Sequence, residues 1–380
     1  MKFLIYLPQL IFGGAEKVLV SFANNLVSRG HEVEVLELYE KGYLKPQFDP
    51  RVTFGAICSK EYTQKYYASV SQVKKNPLLA GKLIFSKLVG YRSFAEKLAA
   101  RRHAGREYDA AINYLEIESP SFLLEHVKAK NYIQWIHIDV ENLDNPAEHD
   151  HHLPVWEKMD SIVCVSRMAM DSFMRRYPTL SGKTHLIYNF YDETVIQKQA
   201  MKPCILPGLK PALLSVGRMT EQKKYLRFLD ILARLRDDGF PFSWHVLGEG
   251  AQRSEIEEKI RALNLGDRVF LHGLTDNPYK YMKNCDLFVL PSGWEGFPTV
   301  TVEAKILGCP VLATDVAGIR EQLRHGETGW IVENNEDAIY EGLTHLLQNL
   351  ELCQKLRSGE GMEAVCGNEE KYNLFLDLCK

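Results

Sequence analysis

The sequence predicts two doubly wound α/β domains in tandem, each a parallel sheet flanked by helices. Short apolar runs alternate with amphipathic segments from the first residue onward, the pattern of repeated βα units. The alternation breaks between Tyr191 and Pro211, where the chain turns polar and carries Pro203, Pro207, Gly208 and Pro211. A chain of 380 residues also exceeds one ordinary core, at about 100–200 residues per domain. The expected domains are 1–195 and 196–365, with 366–380 a C-terminal helix placed to pack back on the first.

In the first half, Phe3 to Leu7 reads as a strand. Ala15, Val18, Leu19, Phe22 and Leu26 then recur at helical spacing until Gly30 stops the helix. His31 to Leu38, Ala110 to Leu115, Tyr132 to Ile136, Ser161 to Val165 and His185 to Ile187 follow as strands. Tyr191 to Pro211 reads as a linker that avoids helix and strand alike. Beyond it, strands are expected at Ala212 to Val216, Trp244 to Leu247, Val269 to Leu271, Leu287 to Leu290 and Val311 to Ala313. Leu226 to Arg236, Ser254 to Leu263 and Val302 to Leu307 supply helices between them. Such an architecture binds ligands in a cleft beyond the carboxyl ends of the strands.

Composition narrows the class. With 46% hydrophobic and 25% charged residues the chain is neither disordered nor fibrous, and a net charge of -3 carries little information. The apolar start is too short for a secretory leader, and no segment approaches the roughly 20 apolar residues that span a bilayer, so membrane contact is expected to be peripheral. Eight scattered cysteines without a CxxC pair read as free thiols of a reducing cytoplasm.

Four segments carry chemistry. Pro291-Ser292-Gly293-Trp294-Glu295-Gly296-Phe297-Pro298-Thr299-Val300 follows an apolar strand and runs into a helix, so free N–H groups around Gly296 to Val300 suit a diphosphate or sugar hydroxyls. Glu303 lies about two turns along that helix and can reach another part of the same ligand. Upstream, Arg218 and Lys223 follow a strand that ends at Gly217, and two such cations neutralise charge growing on a departing phosphate. Phe12-Gly13-Gly14-Ala15-Glu16 opens the first helix with residues small enough for backbone amides to approach a ligand; it is not the GxGxxG fingerprint, which weakens a nicotinamide reading. His137 follows an apolar strand, with Asp139 placed to orient it.

These segments resemble the family-four retaining glycosyltransferases, glycosyl transferases group 1 of bacterial polysaccharide and glycolipid type, whose mark is two glutamates with seven residues between them. The resemblance implies a GT-B fold, two Rossmann-like domains facing a central cleft, with the donor on the C-terminal domain and the acceptor on the N-terminal one. It implies catalytic roles for Glu295, Lys223, Arg218 and His137. It assigns nucleotide-sugar contacts to Gly13, Gly14, Gly248, Glu249, Gly250, His272, Gly273, Leu274, Gly296, Phe297, Pro298, Thr299, Val300 and Glu303, with Glu303 on the ribose. Where the family places glycine after the phosphate-binding lysine, this chain has Lys224.

The implied reaction moves a hexose or N-acetylhexosamine, with retention, from a UDP-sugar or next a GDP-sugar to a glycan or lipid-linked acceptor. No cofactor beyond the donor, and no metal, is implied. The His-rich run from Glu148 to His152 is accordingly not read as a metal site, since consecutive loop residues rarely converge on one ion. A basic stretch from Lys74 to Arg106 suits either an anionic membrane surface on the cytoplasmic side or a solvated helix face; nucleic acid is not expected as a partner. A nucleotide-sugar epimerase and a non-catalytic nucleotide-sugar-binding module are the alternatives, separable by product analysis.

Overall fold

The computed structural model describes residues 1–11, 13–61, 63–64, 95–141, 145–357 and 363–380. They divide into two units: Met1–Val165 with Met170–Phe190 and Glu369–Lys380, and Tyr191–Asn368 with Ser166–Ala169. Each is built on one all-parallel sheet.

The first unit has seven strands: β1 (Lys2–Leu7), β2 (Glu32–Tyr39), β3 (Thr53–Cys58), β4 (Glu107–Asn113), β5 (Lys128–Ile136), β6 (Ser161–Cys164) and β7 (Thr184–Leu186). Their order is β3-β2-β1-β4-β5-β6-β7, so the winding reverses between β1 and β4. Phe3 to Leu7 are fully buried, as the continuous apolar run of a central parallel strand requires. Helix Gly14–Ser28 buries Val18, Leu19, Phe22 and Leu26. Phe22 meets Trp135 and Phe190 with ring centroids 5.2 and 4.9 Å apart, and the C-terminal helix Asn368–Asp377 adds Phe375 at 5.0 Å. Arg29 of the first helix pairs with Glu369, and His31 is 2.6 Å from the Tyr372 hydroxyl, so the last residues complete a core begun by the first.

The second unit has six strands: β8 (Ala212–Val216), β9 (Ser243–Leu247), β10 (Val269–Gly273), β11 (Leu287–Leu290), β12 (Val311–Thr314) and β13 (Trp330–Val332), ordered β10-β9-β8-β11-β12-β13. Helix Tyr225–Asp237 lays Tyr225 and Phe228 edge-on against Trp244 of β9, 5.5 and 5.0 Å away. The Trp244 indole donates to Ser215 Oγ at 3.1 Å, and Ser215 donates to the Val289 carbonyl at 2.7 Å. Three neighbouring strands are thus tied through satisfied buried polar groups.

Two expectations need correction. Residues 191–211 are not uniformly irregular, because Glu193–Ala200 is a helix whose N-cap, Asp192, accepts from Val195 N–H at 2.9 Å. The helix breakers are confined to 203–211, and Ile196 and Ala200 are buried on one face. Strands β3 and β13 were not anticipated; β3 is broken by Gly55 and half-exposed, and β13 has only three residues. Of the basic stretch, Lys74, Lys75, Lys82, Lys87 and Arg92 lie outside the described residues. In 95–103, Lys97, Arg101 and Arg102 are exposed while Ala95, Ala99 and His103 are buried, and Arg106 pairs with Glu34 at 3.1 Å. Among the described residues no helix is long and apolar enough to cross a membrane.

Candidate functional site

In the second unit the sheet reverses between β8 and β11, and the loops leaving their carboxyl ends meet there. Past β8, Gly217 N–H donates to the Leu247 carbonyl at 2.9 Å and Met219 N–H to the Glu249 carbonyl at 3.0 Å. This weave depends on glycine: a Cβ on Gly248 would stand 2.0 Å from the Gly217 carbonyl oxygen, and one on Gly250 2.3 Å from that of Met219. A Cβ on Gly217 would come within 2.8 Å of Lys223 Cε, so the lysine reaches the site across a bare backbone.

Lys223 Nζ lies 2.5 Å from Glu295 Oε1, with the two side chains 12% and 8% exposed. Ser292 Oγ donates to the same oxygen at 2.6 Å, and Gln222 Nε2 reaches Glu295 Oε2 at 3.2 Å and the Trp294 carbonyl at 3.0 Å. Gly293 N–H donates to the Gln222 carbonyl at 2.7 Å, locking the β11 loop onto the β8 loop. Both oxygens of Glu295 are therefore held before any ligand arrives. Arg218 is exposed, and among the described residues no acid or carbonyl engages its guanidinium. Lys224, in the place where glycine was expected, adopts φ 51° and ψ 34°, the left-handed region, while its ammonium pairs with Glu221 and lies 5.5 Å from the centre of the Trp294 ring.

Helix Thr299–Ile306 begins at Thr299 with Pro298 as its N-cap, and its first return bond runs from Thr301 N–H to the Pro298 carbonyl at 3.3 Å. The amides of Thr299 and Val300 precede that ladder, at the positive end of the helix dipole. Glu303 is buried and accepts from the Tyr279 hydroxyl at 3.1 Å; burial beside Glu303 raises the Tyr279 phenol well above its ordinary range. Gly248 N–H donates to the Gly273 carbonyl at 2.8 Å, which brings the turns after β9 and β10 together, with Glu249 paired to Arg253 and Leu274 exposed. His272 is turned inward instead. Its Nε2 is 2.9 Å from His245 Nδ1, and His245 Nε2 is 3.0 Å from Ser243 Oγ. Burial lowers both imidazoles, His245 to about 4.

In the first unit Gly13 and Gly14 follow β1 and His137 follows β5, the two strands that flank β4 in the sheet. Phe12 lies outside the described residues. Gly13 caps the first helix in an extended conformation, and a Cβ there would stand 2.1 Å from Glu16 Oε2. Desolvation pushes the His137 imidazole down to about 3, and its ring is held by the main chain of Tyr114 and lies 4.8 Å from the Tyr114 ring. Among the described residues His137 Nε2 has no hydrogen-bond partner, so Asp139 does not orient the ring through it; that carboxylate accepts from Glu141 N–H at 3.2 Å. The rings of His149 and His152 are buried and stack toward Trp156, and Asp150 pairs with Arg176.

Two acids escaped the sequence reading. Glu37, fully buried in β2, accepts from Leu10, Lys41 and Gly42 N–H at 2.8, 2.9 and 3.1 Å, tying the β1 and β2 loops together. Glu116, just past β4, accepts His137 N–H at 2.9 Å. The available signal was a carboxylate inside, or immediately after, an apolar strand run.

Comparison with known proteins fits this arrangement. The family model described as Glycosyltransferase Family 4 matches residues 12–195, and that described as Glycosyl transferases group 1 matches 198–360. A Campylobacter jejuni protein named N-acetylgalactosamine-N,N'-diacetylbacillosaminyl-diphospho-undecaprenol 4-alpha-N-acetylgalactosaminyltransferase is 32% identical over 197 residues, 51% of this chain and 53% of that one, so the alignment spans about half of the relative. A Haemophilus influenzae uncharacterized glycosyltransferase is 24% identical over 90% of this chain and 88% of its own. Among solved structures, Anabaena HepE in complex with UDP-glucose superposes with a TM-score of 0.74 at 17% identity, covering 99% of both chains. Staphylococcus aureus TarM gives 0.75 at 14% identity, covering 100% of this chain and 98% of that one. These superpositions identify the GT-B fold.

Proposed function

The chain belongs to the family-four glycosyltransferases, and from that premise we propose that it transfers a hexose or N-acetylhexosamine, with retention, from a nucleoside diphosphate sugar to a glycan or lipid-linked acceptor of cell-surface polysaccharide or glycolipid synthesis. The observation that carries this is the Lys223–Glu295 pair at the β8/β11 reversal, with exposed Arg218 on the same loop after β8. A diphosphate is the ligand that two such cations suit: Arg218 offers a fork and Lys223 a point charge to the β-phosphate oxygens. As the bond from the sugar C1 to the β-phosphate oxygen breaks, negative charge grows where these groups stand. The acceptor oxygen forms the new bond to C1 on the same face, and its proton passes to the departing phosphate oxygen. No metal is needed to balance that charge.

Glu295 serves as an orienting acid in this scheme. Lys223, Ser292 and Gln222 already occupy its oxygens, an environment that suits holding a sugar hydroxyl rather than attacking C1. Glu303, buried beneath the start of its helix, takes the ribose hydroxyls. A UDP-sugar is the favoured donor and a GDP-sugar the next; UDP-glucose bound to HepE and the undecaprenol-linked substrate in the Campylobacter relative's name support this donor class and a lipid-linked acceptor. The reaction is assigned to the cytoplasmic face of a membrane.

The test is nucleotide release from UDP-, GDP- and ADP-sugars with crude lipid-linked acceptors, for the wild type, Glu295→Ala and Lys223→Ala. Release from one donor that disappears in both variants is the expected result. Donor binding without release in any acceptor mixture would leave a binding module in place of the transferase, and conversion of the donor without acceptor would indicate an epimerase.

A further inference from the structure

Glu116 stands three residues past the end of β4, is 3% exposed, and is bound to the end of the neighbouring strand. Its Oε2 accepts the main-chain N–H of His137, the first residue after β5, at 2.9 Å. A second link lies one layer below: Asn113 and Gln134 face each other in register, and Asn113 Nδ2 donates to Gln134 Oε1 at 2.7 Å. The imidazole that this main chain carries is packed on Tyr114, and its Nε2 is sealed from solvent without a partner among the described residues.

We propose that Glu116 is the positioning residue for His137, fixing through the His137 N–H where the imidazole stands at the carboxyl edge of the first sheet. Chain geometry makes the carboxylate suited to this. Two strand ends that diverge into separate loops need a tether, and a charge-assisted bond to a buried amide is a short and strong one. The kinetic consequences rest on the glycosyltransferase reading; the contact itself does not.

The tether has two strengths. Burial, with the Glu16 carboxylate opposing ionisation and the His137 and Glu116 N–H groups favouring it, pushes the Glu116 carboxyl up to about 7. Glu16 faces it from the first helix, Cys164 from the end of β6 and His137 from β5; the Cys164 thiol is itself raised by burial and stays uncharged, as does the imidazole. Above that value an anion grips His137 N–H, and below it a neutral acid accepts more weakly.

Two measurements on the full chain test this. With histidine labelled in 15N, the His137 amide signal, identified by its loss in His137→Gln, moves with pH about a midpoint near neutrality in the wild type and stays still in Glu116→Gln. In donor turnover, Glu116→Gln keeps a carbonyl acceptor and most of the wild-type kcat but loses the pH–rate limb near neutrality. Glu116→Ala lowers kcat about 10–100-fold with donor KM unchanged, the size expected of a misplaced group. A His137 amide that ignores pH in the wild type, or follows it equally in Glu116→Gln, would overturn the proposal. So would an Ala variant that folds and turns over like the wild type. If Glu116→Ala fails to fold, the Gln variant decides; if the wild type turns over no donor, the glycosyltransferase reading fails while the amide titration still judges the tether.

Discussion

At the scale of single residues, the site shows what each side chain costs as well as what it does. Lys224 holds a left-handed backbone that favours glycine, and its ammonium gains a half-exposed pairing with Glu221 and a place 5.5 Å from the centre of the Trp294 ring in return. Lys224→Gly should therefore stabilise the chain by about 0.5–1 kcal/mol, the left-handed penalty less the added freedom of the unfolded glycine, read from denaturant midpoints. Titration has the opposite sign for the buried imidazoles. His137, His152 and His245 are pushed by burial from an ordinary 6.5 down to about 3, 4 and 4. Between 6.5 and those values the unfolded chain takes up protons that the folded chain refuses, so stability present above pH 6.5 falls as the pH drops. Glu116 runs the other way: raised from 4.5 to about 7, it contributes stability below pH 4.5 that is lost as pH rises through 7, a cost of about 3 kcal/mol at pH 8. Denaturation curves from pH 4 to 8 should show an acid decline in the wild type. Glu116→Gln should stabilise the alkaline end relative to the wild type, and a pH-independent difference between the two would contradict the burial argument.

At the scale of elements, helix Glu193–Ala200 rests on local chemistry that the surrounding prolines obscure. Asp192→Ala removes the side chain that accepts Val195 N–H and should cost about 1 kcal/mol by chemical denaturation, whereas substitution of the exposed Lys202 should cost nothing measurable. The same helix shows where sequence reading stops. Fully buried strands such as β1, β8 and β11 announce themselves as unbroken apolar runs, and the loops after β8 and β11 are legible because Gly217, Arg218, Lys223 and Glu295 follow strand ends and Glu303 lies in the helix that comes next. Strand β13 is three residues long, too short for a period to emerge, and β3 exposes much of its surface. Glu37 and Glu116 were not legible because a charged residue in an apolar run looks like a solvated interruption until the amides that satisfy it are in place. At His272, near the end of β10, the tertiary structure adds a contact that the sequence did not carry: its ring pairs with His245.

At the scale of the whole molecule, the two units differ in how the chain builds them. The second is nearly continuous, and the groups that fasten Lys223, Glu295 and Glu303 all lie between Tyr191 and Asn368. The first is completed from the far end of the chain: Phe375, fully buried, meets Phe3, Phe22 and Trp135 at 5.3, 5.0 and 6.0 Å, and Lys371 Nζ donates to the Asn189 carbonyl at 2.7 Å. Phe375→Ala leaves a cavity among three large rings and should destabilise the first unit by about 3–5 kcal/mol. The second unit makes no use of that side chain, so affinity for UDP, measured by calorimetry below the unfolding temperature, should be unchanged in the same variant. A fragment of residues 191–368 should likewise fold and bind UDP, while residues 1–190 alone should not fold stably. If the fragment folds but UDP binds only the full chain, the donor site needs groups from the first unit, and the prediction that residues 191–368 bind UDP by themselves fails.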